Sequence, residues 1–134
     1  YILLVNDIEM LKKYVDEVHP KIENLISLYD KPLTLIYSGA KNLPVEILAP
    51  DGSIGIRVCQ EPFCQELIKQ LNHPIVSTSA NISGEAFPVH FGKISSEIIQ
   101  AVDYVVKYRQ SERKIGQPSV LAKMNDSGEL EIVR

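Results

Sequence analysis

The chain has 134 residues, 45% hydrophobic and 23% charged, with a net charge of −3. That length supports one domain with a real core, no apolar run reaches the roughly 20 residues of a membrane span, and no basic region precedes an apolar leader. The expected location is therefore the cytoplasm, and the acidic balance argues against broad electrostatic capture of nucleic acid, while leaving room for a local basic patch.

The chain opens inside an apolar run, Tyr1-Ile2-Leu3-Leu4-Val5. Ile2 to Val5 is a predicted buried strand, and its position at the first residue suggests that an upstream portion is missing. Asn6 or Asp7 can cap a helix carrying Ile8, Leu11, Val15 and Val18 at helical spacing. Pro20 suits the first turn of a second helix with Ile22, Leu25, Ile26 and Tyr29 on one face. Leu33 to Tyr37 is the next strand, and Pro50-Asp51-Gly52 signals a turn. Ile54-Gly55-Ile56-Arg57-Val58 alternates as a strand, with glycine and arginine sharing a face. Glu61-Pro62 opens a helix expected to turn Phe63, Leu67, Ile68 and Leu71 inward. Ile75 to Thr78 forms a strand that runs into Ser77-Thr78-Ser79-Ala80-Asn81-Ile82-Ser83-Gly84. Ser95 or Ser96 caps a short helix through Val102, and Tyr104 to Val106 is a further predicted strand. The stretch from Arg109 to Gln117 is polar and cationic, a solvated loop or a lid. Ser119 to Ala122 and Leu130 to Val133 form a predicted hairpin around Asn125-Asp126-Ser127-Gly128. Strands alternating with helices, closed by a hairpin, predict an α/β fold with a mixed sheet.

Chemistry is expected at the strand ends, where ligands of open α/β sheets gather. Arg57 can clamp a carboxylate or phosphate, although a lone strand arginine more often makes a structural ion pair. The 77–84 loop offers three hydroxyls and the Asn81 amide. Read as residues alone, it is either a capped turn or an anion-facing wall. Ser53, Ser119 and Arg134 complete the polar set. Cys59 and Cys64 lack the Cys-x-x-Cys spacing, and His19, His73 and His90 are scattered. These five read as ordinary thiols and histidines, with no metal site. No Walker loop and no nucleophile elbow is present.

Ser77-Thr78-Ser79-Ala80-Asn81-Ile82-Ser83-Gly84 closely resembles the signature loop of the YrdC-like family, the threonylcarbamoyl-AMP synthases. Three further stretches agree in order. Lys31-Pro32-Leu33-Thr34 resembles the family's Pro-Gly-Pro-Leu-Thr segment, and Ser53-Ile54-Gly55-Ile56-Arg57-Val58 its Val-Gly-Val-Arg-Val-Pro strand. Pro118-Ser119-Val120-Leu121 with Glu131-Ile132-Val133-Arg134 resembles its closing hairpin. The resemblance covers the whole chain as one YrdC-like domain, 1–134. It implies a twisted mixed sheet with flanking helices and a C-terminal hairpin, incomplete at the N-terminus.

The activity implied is that of a nucleotidyltransferase. L-threonine, bicarbonate and ATP give threonylcarbamoyl-AMP and pyrophosphate, for modification of tRNA adenosine 37. The resemblance implies that Arg57, Ser77 and Ser119 bind threonine, with Arg57 on its carboxylate. It implies that Ser53, Ser79, Asn81 and Arg134 contact ATP, a substrate carried with Mg2+, and that there is no permanently bound cofactor and no protein nucleophile. A non-catalytic module for double-stranded RNA is the alternative reading. The related domain of hydrogenase-maturation carbamoyltransferases is a third. Departures from the family pattern are Asp30 and Lys31 in place of proline and glycine, Cys59 in place of proline, and Leu4 in place of a histidine. The family's Pro-Thr-x-Thr-x-Tyr-Gly-Leu strand and its ATP-gripping Lys/Arg pair do not occur. On that basis the chain alone is expected to be weakly active or inactive.

Overall fold

The computed structural model describes residues 1–133, so the Arg134 expectation lies outside the described residues. The chain divides into two compact units: Tyr1–Ser77 together with the chain from Ser119 onward, and Thr78–Pro118.

The first unit is built on six strands: β1 (Ile2–Val5), β2 (Leu33–Tyr37), β3 (Ile54–Val58), β4 (Ile75–Ser77), β5 (Val120–Met124) and β6 (Leu130–Ile132). Their spatial order is β4-β1-β3-β2-β5-β6. β1 runs parallel to β3, and β2 parallel to β5; the other three pairings are antiparallel. The sheet is therefore mixed, as alternating strands and helices predict.

Strand alternation divides its residues between two faces. Leu3, Val5, Leu35, Tyr37, Ile54, Ile56 and Ala122 occupy one face and form the core with Leu11, Val15 and Ile22. The other face carries Leu4, Thr34, Gly55 and Arg57, brought level by the pairings of Leu4 with Arg57 and of Ile36 with Gly55.

Three helices belong to this unit. α1 (Ile8–Leu11) is capped by Asp7, whose Oδ1 accepts from the Met10 N–H at 2.7 Å. It is a single turn, not the longer helix that the spacing of Val15 and Val18 predicts. The chain leaves the helix because Val15 bridges to Ala40 and the Asp16 N–H donates to the Gly39 carbonyl at 2.8 Å. Val15 stays buried, so its apolar spacing reports the core and not a helix. α2 (Pro20–Leu28) begins on Pro20, as expected, with His19 as its cap. α3 (Pro62–Leu71) starts at the Glu61 cap and stops at Asn72, which adopts a left-handed conformation with φ 55°. Of its four expected inward residues only Ile68 is fully buried; Phe63, Leu67 and Leu71 are 37–44% exposed. A helix on one face of a sheet covers it with a narrow stripe, and three of these four side chains lie at the stripe's margin.

The closing hairpin forms as predicted. The Asn125 Oδ1 accepts from the backbone N–H groups of Ser127 and Glu129 at 3.1 and 2.8 Å, and Gly128 takes the positive φ of 76° that the turn requires.

The second unit holds the serine-threonine loop from Thr78 onward and α4 (Ser96–Ala101), capped by Ser95. The strand predicted over Tyr104 to Val106 does not form. Among the described residues this stretch joins no ladder, and Tyr104 is 72% exposed. The run is too short to mark a strand without a partner to satisfy its backbone. In the cationic stretch that follows, Arg109 is forked onto the Glu112 carboxylate, with both hydrogen bonds at 2.7 Å. Glu112 is accordingly held below the usual carboxylate range, chiefly by that hydrogen bond. No helix among the described residues is long and apolar enough to cross a membrane.

Candidate functional site

Arg57 is the fourth of the five residues of β3: Gly55 and Arg57 alternate onto the face opposite the core, and Leu4 of β1 lies level with Arg57. Its Nε donates to the Thr34 Oγ1 at 3.1 Å, and its Nη2 donates to the Ser119 Oγ at 2.9 Å. The two hydroxyls are hydrogen-bonded to each other at 2.8 Å. Thr34 is 0% exposed and Ser119 4%, the two buried polar residues among those described.

This triangle has a clear physical basis. A hydroxyl buried in a strand is costly without a partner, and each of these has two. A hydrogen bond from a charged donor contributes about 1.5–3 kcal/mol, more than a neutral one. The guanidinium plane is thereby fixed by the Thr34 hydroxyl on β2 and the Ser119 hydroxyl just ahead of β5, which makes it an oriented cation on a sheet face. Such a group is suited to a carboxylate or a phosphate oxygen.

Gly55 contributes by what it lacks. A Cβ on Gly55 would meet the Thr34 Cγ2 at 3.2 Å and the Ile2 Cγ1 at 3.8 Å. A side chain there would press on the threonine that orients Arg57.

The other expected site residues are distributed as follows. Ser77 ends β4 and pairs with Ile2, which itself pairs with Gly55, so Ser77 lies two strands from Gly55 at the same level. Ser53 immediately precedes β3, at the opposite end from Arg57. Its Oγ donates to the Asp51 Oδ1 at 2.6 Å, and its N–H donates to the same oxygen at 3.0 Å. Those bonds hold the Asp51 carboxyl below the usual range. In the second unit Ser79 is exposed in the loop, while the Asn81 amide donates to the Ile82 and Glu85 carbonyls at 3.1 and 3.2 Å. Asn81 thus braces the turn that ends at Gly84, whose φ is 85°. Arg57 and Ser119 are brought together; Ser53 is held apart from them along β3.

Thr34 was not among the expected site residues. Its signal in the sequence is a single hydroxyl inside the apolar run Leu33-Thr34-Leu35-Ile36, at a position that alternates away from the core. A cleft of about 310 Å³ opens at the far end of β2, among Asp16, His19, Tyr37, Gly39 and Met124, and none of the expected site residues lines it. Among the described residues no cluster of three or more His, Cys, Asp or Glu could hold a metal ion.

The whole chain, residues 1–134, matches the Sua5/YciO/YrdC family model, described as telomere recombination. A Methanocaldococcus jannaschii relative is 36% identical over 121 residues, 90% of this chain and 54% of that protein. The threonylcarbamoyl-AMP synthase of Pseudoalteromonas translucida is 29% identical over 108 residues, 78% of this chain and 58% of its own. The chain therefore spans about half the length of the curated relatives it matches. In fold it is similar to Sua5 of P. abyssi. A doubly substituted form aligns at a TM-score of 0.83 with 22% identity, covering 99% of this chain and 38% of that one. The same protein complexed with L-threonine aligns at 0.70 with 20% identity and the same coverage. The mixed six-stranded sheet, the serine-threonine loop and the full-length family match lead to one conclusion: the chain belongs to the Sua5/YciO/YrdC family.

Proposed function

We propose that this chain supplies the amino-acid-binding face of an L-threonylcarbamoyladenylate synthase. The observation that carries the reading is the Arg57 guanidinium held by the Thr34 and Ser119 hydroxyls on one face of the sheet. In this reading Arg57 receives the threonine carboxylate, and Ser119 and Ser77 complete the contacts to the amino acid. Ser53, Ser79 and Arg134 contact ATP, Asn81 shapes the loop that carries Ser79, and Mg2+ arrives with the triphosphate.

The reaction joins two anions, which is the cost the protein must offset. The threonine amine takes up bicarbonate with loss of water to give a carbamate. A carbamate oxygen then attacks the α-phosphorus of ATP and pyrophosphate leaves. Holding the carboxylate on a fixed guanidinium orients the carbamate and offsets part of the charge repulsion. Positioning and electrostatics suffice for such a displacement, and no protein nucleophile is required. The product is an acyl adenylate, to be consumed by the machinery that modifies tRNA.

Pyrophosphate release from ATP in the presence of bicarbonate tests this in the full-length protein. Release should depend on threonine, and Arg57→Ala should raise the threonine requirement far more than the ATP requirement. Ser79→Ala should weaken the nucleotide about tenfold, the loss of roughly one hydrogen bond, while the protein stays folded. Release that ignores threonine, or a threonine titration unmoved by Arg57→Ala, would overturn the reading.

A further inference from the structure

We propose that the cleft at the far end of β2 is a binding site for a small organic cation, a primary ammonium carrying a short apolar body. The proposal is independent of the threonine reading, because none of the described residues assigned to the amino acid or to ATP lines this cleft.

The backbone fixes the walls. The segments 13–16 and 39–42 are zipped together. The Asp16 N–H donates to the Gly39 carbonyl at 2.8 Å, the Lys41 N–H to the Tyr14 carbonyl at 2.9 Å, and the Asn42 side-chain amide to the Lys13 carbonyl at 2.8 Å. The Asp16 carboxylate lies close over Gly39. A Cβ at Gly39 would meet the Asp16 Oδ2 at 2.8 Å, so glycine leaves the room that the carboxylate takes. A further wall comes from the start of α2, where the His19 Nδ1 accepts from the Lys21 N–H at 3.1 Å.

The lining selects the ligand. A volume of about 310 Å³ falls at the lower end of small-molecule sites, which run from roughly 300 to 1,000 Å³. Val15, Ile22 and Met124 supply apolar surface, and Asp16 and Glu17 supply two exposed carboxylates. Among the described residues neither carboxylate makes an ion pair, and no lysine or arginine lines the cleft. The cations nearby in sequence are engaged elsewhere: Lys12 with Glu23 at 2.9 Å, and Lys21 with the Gly128 carbonyl at 3.4 Å. The N-terminus of α2 offsets about half an elementary charge, which leaves the balance negative.

Tyr37 is the independent observation. It lines the cleft, is 7% exposed, and its hydroxyl is buried with no hydrogen-bond partner among the described residues. Buried hydroxyls are nearly always paired, so an unpaired one on a residue lining a cleft points to a ligand that supplies the partner. An ammonium does this by donating to the phenol oxygen, and a tyrosine ring attracts a cation over its face. Two carboxylates, an aromatic ring and an acceptor in want of a donor favour an ammonium over a carboxylate, a phosphate or a neutral ligand.

The test titrates phenethylamine into the full-length protein and follows backbone amide and methionine methyl shifts by NMR. The shifts should saturate with a Kd of about 1 mM or below and cluster on Asp16, Gly39 and Met124. 2-Phenylethanol, the same body without the charge, should bind at least tenfold more weakly, and phenylacetate should not bind. Asp16→Asn combined with Glu17→Gln should weaken the amine at least tenfold and leave the alcohol within about twofold, since only the charge is lost. Tyr37→Phe should weaken the amine roughly threefold, for the loss of one hydrogen bond. L-Threonine should not displace the amine. Should the double variant fail to fold, the comparison of amine, alcohol and carboxylate on the unsubstituted protein decides alone. Equal binding of amine and alcohol, an amine titration unmoved by the double variant, displacement by threonine, or no saturation by about 10 mM would overturn the proposal.

Discussion

The two faces of the first unit's sheet use the same strands for opposite ends. On β2, Leu35 is 1% exposed among aliphatic neighbours, while Thr34, the residue before it, is equally buried but faces Arg57. On β3, Ile56 lies in the core and Arg57 beside it turns the other way. Burial alone does not distinguish the faces; the partner of each buried atom does. One face is held by apolar area and shape, whereas the other is held by a closed set of hydrogen bonds that fixes a cation.

Substitutions on each face should separate stability from binding. The largest loss of stability is expected from Leu35→Ala, about 2–5 kcal/mol by urea unfolding, because it opens a cavity in a packed core. Threonine affinity in the population that remains folded should change little. Arg57→Ala should give the reverse: threonine affinity lowered roughly 10–100-fold for the loss of a charge-assisted contact of about 1.5–3 kcal/mol, with a smaller change in unfolding. Isothermal titration beside urea melts would show it, and equal losses in both would blur the distinction between the faces.

Thr34→Val sharpens the comparison further. It keeps the shape of the strand but leaves the Arg57 Nε and the Ser119 hydroxyl each short of a partner. A loss of about 1–3 kcal/mol in stability is expected, together with weaker threonine binding. Thr34→Ser should restore the binding, since the hydroxyl and not the methyl orients the guanidinium. A variant series in which serine is no better than valine would remove Thr34 as a positioning residue.

The smallest effect concerns the core face's own exception. The Tyr37 hydroxyl is buried without a hydrogen-bond partner among the described residues, and burial pushes its ionisation well above the usual tyrosine range. Tyr37→Phe should therefore be neutral or stabilising by up to about 1 kcal/mol, measured as a small rise in Tm. A marked destabilisation would mean that the hydroxyl has a partner after all.

Much of this architecture was legible in the sequence. All six strands of the sheet were foreseen as strands, because each carries its own apolar alternation and is bounded by turn residues. Two of the failures have a common cause. Val15 and Tyr104 sit in locally apolar sequence whose meaning is set by residues elsewhere, namely Ala40 for the first and the want of a pairing strand for the second. The site shows the same limit. Arg57 and Ser119 could be named from the family resemblance, but Thr34 could not, since its role depends on Ser119 and Arg57 being folded against it. The pattern of the strand marks where a hydroxyl is out of place; it does not say which partner makes that tolerable.

The bond between Thr34 and Ser119 closes across 85 positions of the chain. β2 can pair with β3 as soon as both have emerged from the ribosome, but its other edge waits for β5, close to the C-terminus. Parallel pairings between distant strands carry a large loop-closure cost and tend to form late. Synthesis and site assembly are thus ordered in time. Until β5 docks, Arg57 has only part of its cradle, and a chain interrupted before Ser119 carries the arginine without the geometry that gives it a use.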